Sequence, residues 1–216
     1  MLILSSATGT DRERAISAAV SAVKRGDLVL LPTESAYALV TDPFSSRGVA
    51  ALRAAKGQAH DSPLSLMVPS AATVSGIASG VTAPVQALMQ AFWPGALTLL
   101  LRPQPTLAWD LSPDLPIAVR MPLHPVMLAV LDKCGPLAVT TANAPGLPAP
   151  GSIQAVVDQL GECASLAIDA GELDVTQLPS TVLDMSGLDP LVVRQGSLSV
   201  VQLQQVAPGI PAAAPQ

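Results

Sequence analysis

Six short polar breaks interrupt an apolar chain, and three of them carry an isolated cation: Lys56-Gly57-Gln58, Arg120-Met121-Pro122 and Arg194-Gln195-Gly196. The other three offer hydroxyls, a carboxylate and an amide: Pro32-Thr33-Glu34-Ser35, Thr140-Thr141-Ala142-Asn143 and Ser180-Thr181. Lys and Arg together number 11 among 216 residues, so a cation set into apolar sequence is a rare event. Convergence of Lys56, Arg120 and Arg194 would make a polyanion site, because Arg grips phosphate or carboxylate in a fork and Lys acts as a point charge. Nucleoside triphosphates and carboxylates are the ligands that this chemistry selects. Neither G-x-x-x-x-G-K-[ST] nor G-x-G-x-x-G is present, so a nucleotide must be held by some other arrangement.

The elements that position these breaks can be read from periodicity. The apolar run Leu28–Leu31 ends in Pro32-Thr33-Glu34-Ser35, and the crevice beyond strand ends is where ligands collect in open α/β sheets. Further strands are predicted at 64–68, 97–101, 117–121, 137–141, 166–169, 181–184 and 191–194. Thr10-Asp11-Arg12-Glu13 has capping-box spacing and predicts a helix over 11–24, with Ala15, Ile16, Ala19, Val20 and Val23 on one face. Other helices are predicted at 47–55, 71–78, 84–92, 125–133 and 153–160. Several strands abut without an intervening helix, which predicts a mixed sheet in one α/β domain over residues 1–206. The Pro, Gly and Ala of 207–216 predict a fraying, disordered tail.

Composition narrows the function classes. Half of the residues are apolar, enough for a sizeable core, yet no run is long enough to cross a bilayer. The N-terminus lacks the basic flank and apolar stretch of a signal peptide, so a cytoplasmic location is expected, without membrane association. A net charge of −5 and an aromatic content of 2% disfavour a module that attracts or stacks nucleic acid, so any tRNA or double-stranded RNA contact should be weak and local. Cys134 and Cys163 read as buried apolar residues, and no metal ligand set is expected.

Taken in order, the breaks resemble the YrdC family of L-threonylcarbamoyladenylate synthases from about Arg14 to Val206. The blocks that carry the resemblance are Pro32-Thr-Glu-Ser-Ala-Tyr-Ala-Leu39, Lys56-Gly-Gln58 with Pro63-Leu64, Phe92-Trp-Pro-Gly-Ala-Leu-Thr98 and Arg120-Met-Pro-Leu-His-Pro125. Thr141-Ala-Asn143, Ser180-Thr-Val-Leu-Asp184 and Arg194-Gln-Gly196 complete them. The resemblance implies a twisted mixed sheet flanked by helices and enclosing a concave, positively lined cavity. It also implies synthesis of threonylcarbamoyl-AMP and pyrophosphate from L-threonine, bicarbonate and ATP, as the first step toward the t6A37 modification of tRNA. A downstream tRNA threonylcarbamoyltransferase machinery would take the adenylate.

By position, the resemblance puts Lys56, Gln58, Thr141, Asn143 and Arg194 on ATP, with Lys56 and Arg194 as the catalytic cations. Ser35, Arg120 and Ser180 fall on threonine, and Mg²⁺ arrives with the nucleotide. Gln58 stands where the family has a second cation, Ala38 where it has Gly, Met67 where many members have a polar residue and Pro145 where they have Ser. Arg53, one turn before Lys56, is the candidate to replace the missing charge. These substitutions support a rival reading, a catalytically weakened paralogue that binds nucleotide or double-stranded RNA. Beside the sites, Trp93 and His124 read as structural, His60 as solvated, Thr33 and Glu34 as either turn-forming or substrate-facing, and Tyr37 as lining the pocket or packing beneath it.

Overall fold

The computed structural model describes residues 1–59, 62–109 and 115–211. In chain order the first half runs β1 (Leu2–Ser5), α1 (Gly9–Lys24), β2 (Val29–Pro32), β3 (Tyr37–Thr41), α2 (Ser46–Ala55), β4 (Ser65–Met67), α3 (Ala71–Ile77), β5 (Ala78–Ser79) and α4 (Ala83–Phe92). The second runs β6 (Leu97–Pro103), β7 (Ile117–Arg120), α5 (Pro125–Cys134), β8 (Leu137–Thr141), α6 (Ile153–Leu160), β9 (Leu166–Asp169), β10 (Thr181–Asp184), β11 (Leu191–Arg194) and α7 (Val200–Val206). The strands form one mixed sheet in the order β1-β9-β2-β3-β8-β4-β7-β6-β10-β11, with β5 paired to β6 off that path. This is the mixed α/β architecture expected from abutting strands.

Strand alternation sorts the side chains onto two faces. Leu30, Leu39, Leu66, Leu99, Val119 and Leu183 pack with α2, α3, α4, α6 and α7 on one face. Val29, Leu31, Val40, Val139 and Ile168 pack under α1 and α5 on the other. Two helices cannot cover the second face of so wide a sheet. Its middle stays open, and most of the residues lining it are small or polar.

The helix starts differ from expectation in one instructive place. The N-cap of α1 is Thr8, whose hydroxyl accepts from Asp11 N at 3.2 Å and donates to Asp11 at 2.6 Å. Thr8-x-x-Asp11 has the same acid-at-N3 spacing as Thr10-x-x-Glu13, so the helix begins two residues earlier. Four elements were not anticipated: β1, β3, β5 and α7. Helix α7 has a full capping box in Ser199 and Gln202. The tail expected to fray from Ala207 instead buries Ala207 and Ile210 in the core, because the turn after α7 folds two apolar side chains inward. Residues 212–216 and His60 lie outside the described residues.

Tyr37 is buried at the cavity floor and ties two segments together. Its ring is fully buried, and its hydroxyl donates to Gly171 O and accepts from Ala170 N, each at 2.9 Å. Burial and the nearby Asp169 carboxylate push the phenol up to about 12. As the chain's single tyrosine, it allows a clean alkaline titration by tyrosinate absorbance. We expect a midpoint near 12 in the folded protein and near 10 when unfolded. The folded state then holds its proton more tightly, so this contribution to stability is complete below pH ~10 and is lost as the pH rises through about 12. Tyr37→Phe should cost about 1–3 kcal/mol in denaturant unfolding, because Ala170 N loses its acceptor.

Candidate active site

The open middle of the sheet is a cavity of about 230 Å³ lined by Thr33, Ser35, Ala36, Tyr37, Ala38, Ser65, Leu66, Met67, Thr98, Ala118, Arg120, Val139, Thr140, Thr141 and Ser180. Cross-strand register explains its floor. Ala38 lies opposite Thr141, Ser65 lies between Val139 and Ala118, and Met67 lies opposite Arg120. Alanine, serine and threonine at these points leave space where leucines fill the reverse face. A second hollow of about 300 Å³ adjoins it and shares Ser35 and Arg120, adding Glu34, Ala96, Gln177, Leu178 and Ser197.

The turn after β2 is built by Thr33. Its hydroxyl donates to Ala36 O at 2.6 Å and accepts from Ala36 N at 3.2 Å and Ser35 N at 3.4 Å. Thr33 is therefore the turn's internal brace, which leaves Ser35 to line both hollows. Glu34 has a different part. It forms an ion pair with Arg120 and also accepts from Leu123 N at 3.3 Å.

Arg120 ends β7 and reaches across the mouth of the cavity. Its Nε donates to Gly95 O at 2.8 Å, and Gly95 N in turn donates to Met121 O at 3.0 Å. The backbone must come very close here: a Cβ on Gly95 would sit 2.6 Å from Phe92 O. Trp93, buried as expected, pins the same turn by donating from Nε1 to Leu97 O at 2.7 Å. Burial, and second the Arg194 charge, push the Arg120 guanidinium down to about 10. Two arginines are thus held near each other, which raises the local appetite for anions.

Arg194 ends β11 and lies along the start of β10. It donates to Ser180 O from Nε at 3.2 Å and Nη2 at 3.0 Å, and to Ser180 Oγ at 3.3 Å. Ser180 Oγ also shares a 2.9 Å hydrogen bond with Thr98 Oγ1. Gly196 permits this contact between segments, since a Cβ there would lie 2.0 Å from Pro179 O. The Arg-x-Gly spacing therefore has a steric cause: the glycine lets the strand end close enough for the arginine to reach.

Lys56 caps α2 and reaches Asn143 and Thr141, the latter of which lines the cavity. Its ammonium donates to Asn143 O at 2.5 Å, Asn143 Oδ1 at 2.7 Å and Thr141 O at 3.2 Å. Partial burial pulls its pKa below the ordinary lysine value. Asn143 is held further by donating to Leu147 O at 2.7 Å.

The structure thus gathers the residues into two groups, Lys56 with Thr141 and Asn143, and Arg120 with Ser35, Ser180 and Arg194. Gln58 joins neither; it is exposed, and its backbone N donates to Arg53 O at 3.0 Å. Arg53, the candidate for the missing charge, is a buried residue of α2. It is 3% exposed and donates from Nη2 to Ser62 O at 3.1 Å, because its helix position faces inward beside Leu52. Ser65 and Thr98 were given no site role by sequence reasoning, and Glu34 was left between a turn-forming and a substrate-facing one. For Ser65 and Thr98 the signal was a polar residue at alternating position inside an apolar strand. The Glu34 pairing spans 86 residues and leaves no local trace.

Known proteins resemble this chain along most of its length. The Sua5/YciO/YrdC family model, described as telomere recombination, matches residues 21–196. A Mycobacterium tuberculosis protein provisionally named threonylcarbamoyl-AMP synthase is 39% identical over 196 residues, covering 90% of each chain. A Bacillus subtilis threonylcarbamoyl-AMP synthase is 30% identical over 197 residues, which span 88% of this chain and 56% of that one. Among solved structures, Pyrococcus abyssi Sua5 complexed with L-threonine superposes with a TM-score of 0.85 at 28% identity, covering 98% of this chain and 62% of that one. Escherichia coli YciO shares the fold, with a TM-score of 0.77 at 24% identity over 94% of this chain and 97% of its own. The sequence blocks, the mixed sheet and these likenesses agree: the chain belongs to the Sua5/YciO/YrdC family.

Proposed function

We propose that this chain is a threonylcarbamoyl-AMP synthase, a nucleotidyltransferase that joins L-threonine, bicarbonate and ATP into threonylcarbamoyl-AMP and releases pyrophosphate, in the cytoplasm and in the service of tRNA modification. The observation that carries the reading is a hydroxyl-rich cavity with Arg120 in its wall, and with Lys56 and Arg194 hydrogen-bonded to two of its lining residues, Thr141 and Ser180. The relative from Pyrococcus abyssi that superposes on 98% of the chain is a complex with L-threonine.

The reaction sets specific demands. A carbamate oxygen must attack the α-phosphorus of ATP while the bond to pyrophosphate breaks, so two anions must be held together and the leaving charge stabilised. Arg120, with Ser35 and Ser180 beside it, suits an amino-acid carboxylate and hydroxyl. Lys56 and Arg194 suit phosphate oxygens, and Thr141 and Asn143 suit the nucleotide at the Lys56 end. The side chains lining the cavity are mostly hydroxyls, small apolar groups and one arginine, which fit Mg²⁺ carried on phosphate rather than held by the protein. The adenylate would pass to a separate tRNA-modifying enzyme.

A rival reading, binding of a nucleotide or double-stranded RNA without synthesis, is favoured by one feature. Arg53 is turned inward, so position 58 lacks a cationic substitute from that side chain. A charge-assisted hydrogen bond missing there costs about 1.5–3 kcal/mol.

The deciding assay is pyrophosphate release by the purified protein with ATP, bicarbonate and L-threonine. Threonine-dependent release is expected, and its absence beside an active relative would sink the synthase reading. Lys56→Ala should lower the rate about 10- to 100-fold, and Gln58→Arg should raise ATP affinity by about tenfold. Ala118→Leu, which fills the cavity floor, should bring release to background while leaving the denaturation midpoint nearly unchanged.

A further inference from the structure

The Glu34–Arg120 pair stands at the junction of the two hollows. Arg120 and Ser35 line both, and Glu34 lines the outer one alone. Both charged side chains are largely withdrawn from water, at 17% and 14% exposure. Each is also held by the backbone, Glu34 by Leu123 N and Arg120 by Gly95 O. Fixed, partly dehydrated charges of opposite sign, facing shared empty space, are matched to a ligand that carries both signs.

We propose that Glu34 and Arg120 form a clamp for the zwitterionic head of an α-amino acid, with Arg120 on its carboxylate and Glu34 on its ammonium. The inference rests on the threonine reading and adds to it the group that recognises the amine. The free ion pair opens, and each partner exchanges one opposite charge for another. While the amino acid is bound as its zwitterion neither charge is stranded, so the exchange avoids the cost of leaving a desolvated ion unpaired. The ammonium must then release a proton before its nitrogen can become the carbamate, so the clamp acts on the amino acid as first bound. An incoming simple anion would satisfy Arg120 and leave Glu34 without its partner. An incoming amine without a carboxylate would do the reverse. The pair therefore selects for amino acids over hydroxy acids and over amines, in addition to whatever Ser35 and Ser180 select through the side-chain hydroxyl.

Geometry favours Glu34 over the other acids. Asp169, the acid nearest the buried floor, is engaged by Gly171 N at 2.8 Å and the Tyr37 hydroxyl at 3.3 Å. Glu34 is the acidic side chain among the residues lining these two hollows. It sits one residue from Ser35, so the hydroxyl and the carboxylate come from the same braced turn.

Calorimetric titration with three probes tests the clamp: L-threonine, its desamino analogue 3-hydroxybutyrate and its decarboxylated analogue 1-amino-2-propanol. Wild-type protein should prefer L-threonine to either analogue by about tenfold or more, the usual worth of a charge-assisted contact. Glu34→Gln should lose the preference over 3-hydroxybutyrate while keeping ATP affinity, and Glu34→Asp should retain much of it. Full discrimination in Glu34→Gln, or loss of discrimination in both variants alike, would overturn the clamp. Absence of L-threonine binding by wild-type protein, with ATP still bound, would instead overturn the threonine reading and take the clamp with it.

Discussion

Everything at the site depends on an asymmetry between the two faces of one sheet. On the reverse face, Leu39, Leu66, Leu99 and Val119 are buried to within 1% and fix the strands in place. On the site face, Ala38, Ser65, Ala118 and Thr98 occupy neighbouring positions on the same strands. Leucine there would close the cavity, as the close packing of protein interiors allows no alternative. The packed face provides the rigidity that an open face needs, so the stability of the fold and the space for ligand come from the same alternation.

The cations gain meaning from this setting. In an acidic chain, three of the few positive side chains are tied to one concavity, Arg120 in its wall and Lys56 and Arg194 through the lining residues Thr141 and Ser180, each by a different device. Lys56 is carried by a helix end, Arg120 by a strand end braced from the Trp93–Gly95 turn, and Arg194 by a strand end that Gly196 lets close in. Without ligand, each is satisfied by backbone or side-chain acceptors: Asn143, Glu34 and Ser180. These internal partners prepay part of the desolvation that a buried charge requires. They also place the cations where exchange for phosphate or carboxylate oxygens involves short movements.

Much of this was legible in the sequence, for reasons that differ by residue. Strands such as 97–101 and 166–169 are apolar runs bounded by turn residues, and they appear where periodicity put them. Strand β3 escaped because Tyr37–Thr41 continues directly from a polar turn and is buried on both faces, so it shows no alternation. The two-residue β5 is too short to signal anything. Helix α7 was overlooked because its capping pair precedes a run rich in Val and Gln that also suits a strand. The candidate site was readable through local motifs, and what stayed hidden was pairing at a distance. The Glu34–Arg120 contact, the Lys56–Asn143 bridge and the inward turn of Arg53 are decided by tertiary packing.

The most direct test of the account is a crystal structure of the protein with L-threonine and a non-hydrolysable ATP analogue. The account predicts the threonine carboxylate on Arg120, its ammonium beside Glu34, and the triphosphate spanning from Lys56 toward Arg194 over Ala118 and Ser65. Ligands seated away from this face, for example in the hollow of about 500 Å³ beside Arg12 and His124, would contradict it.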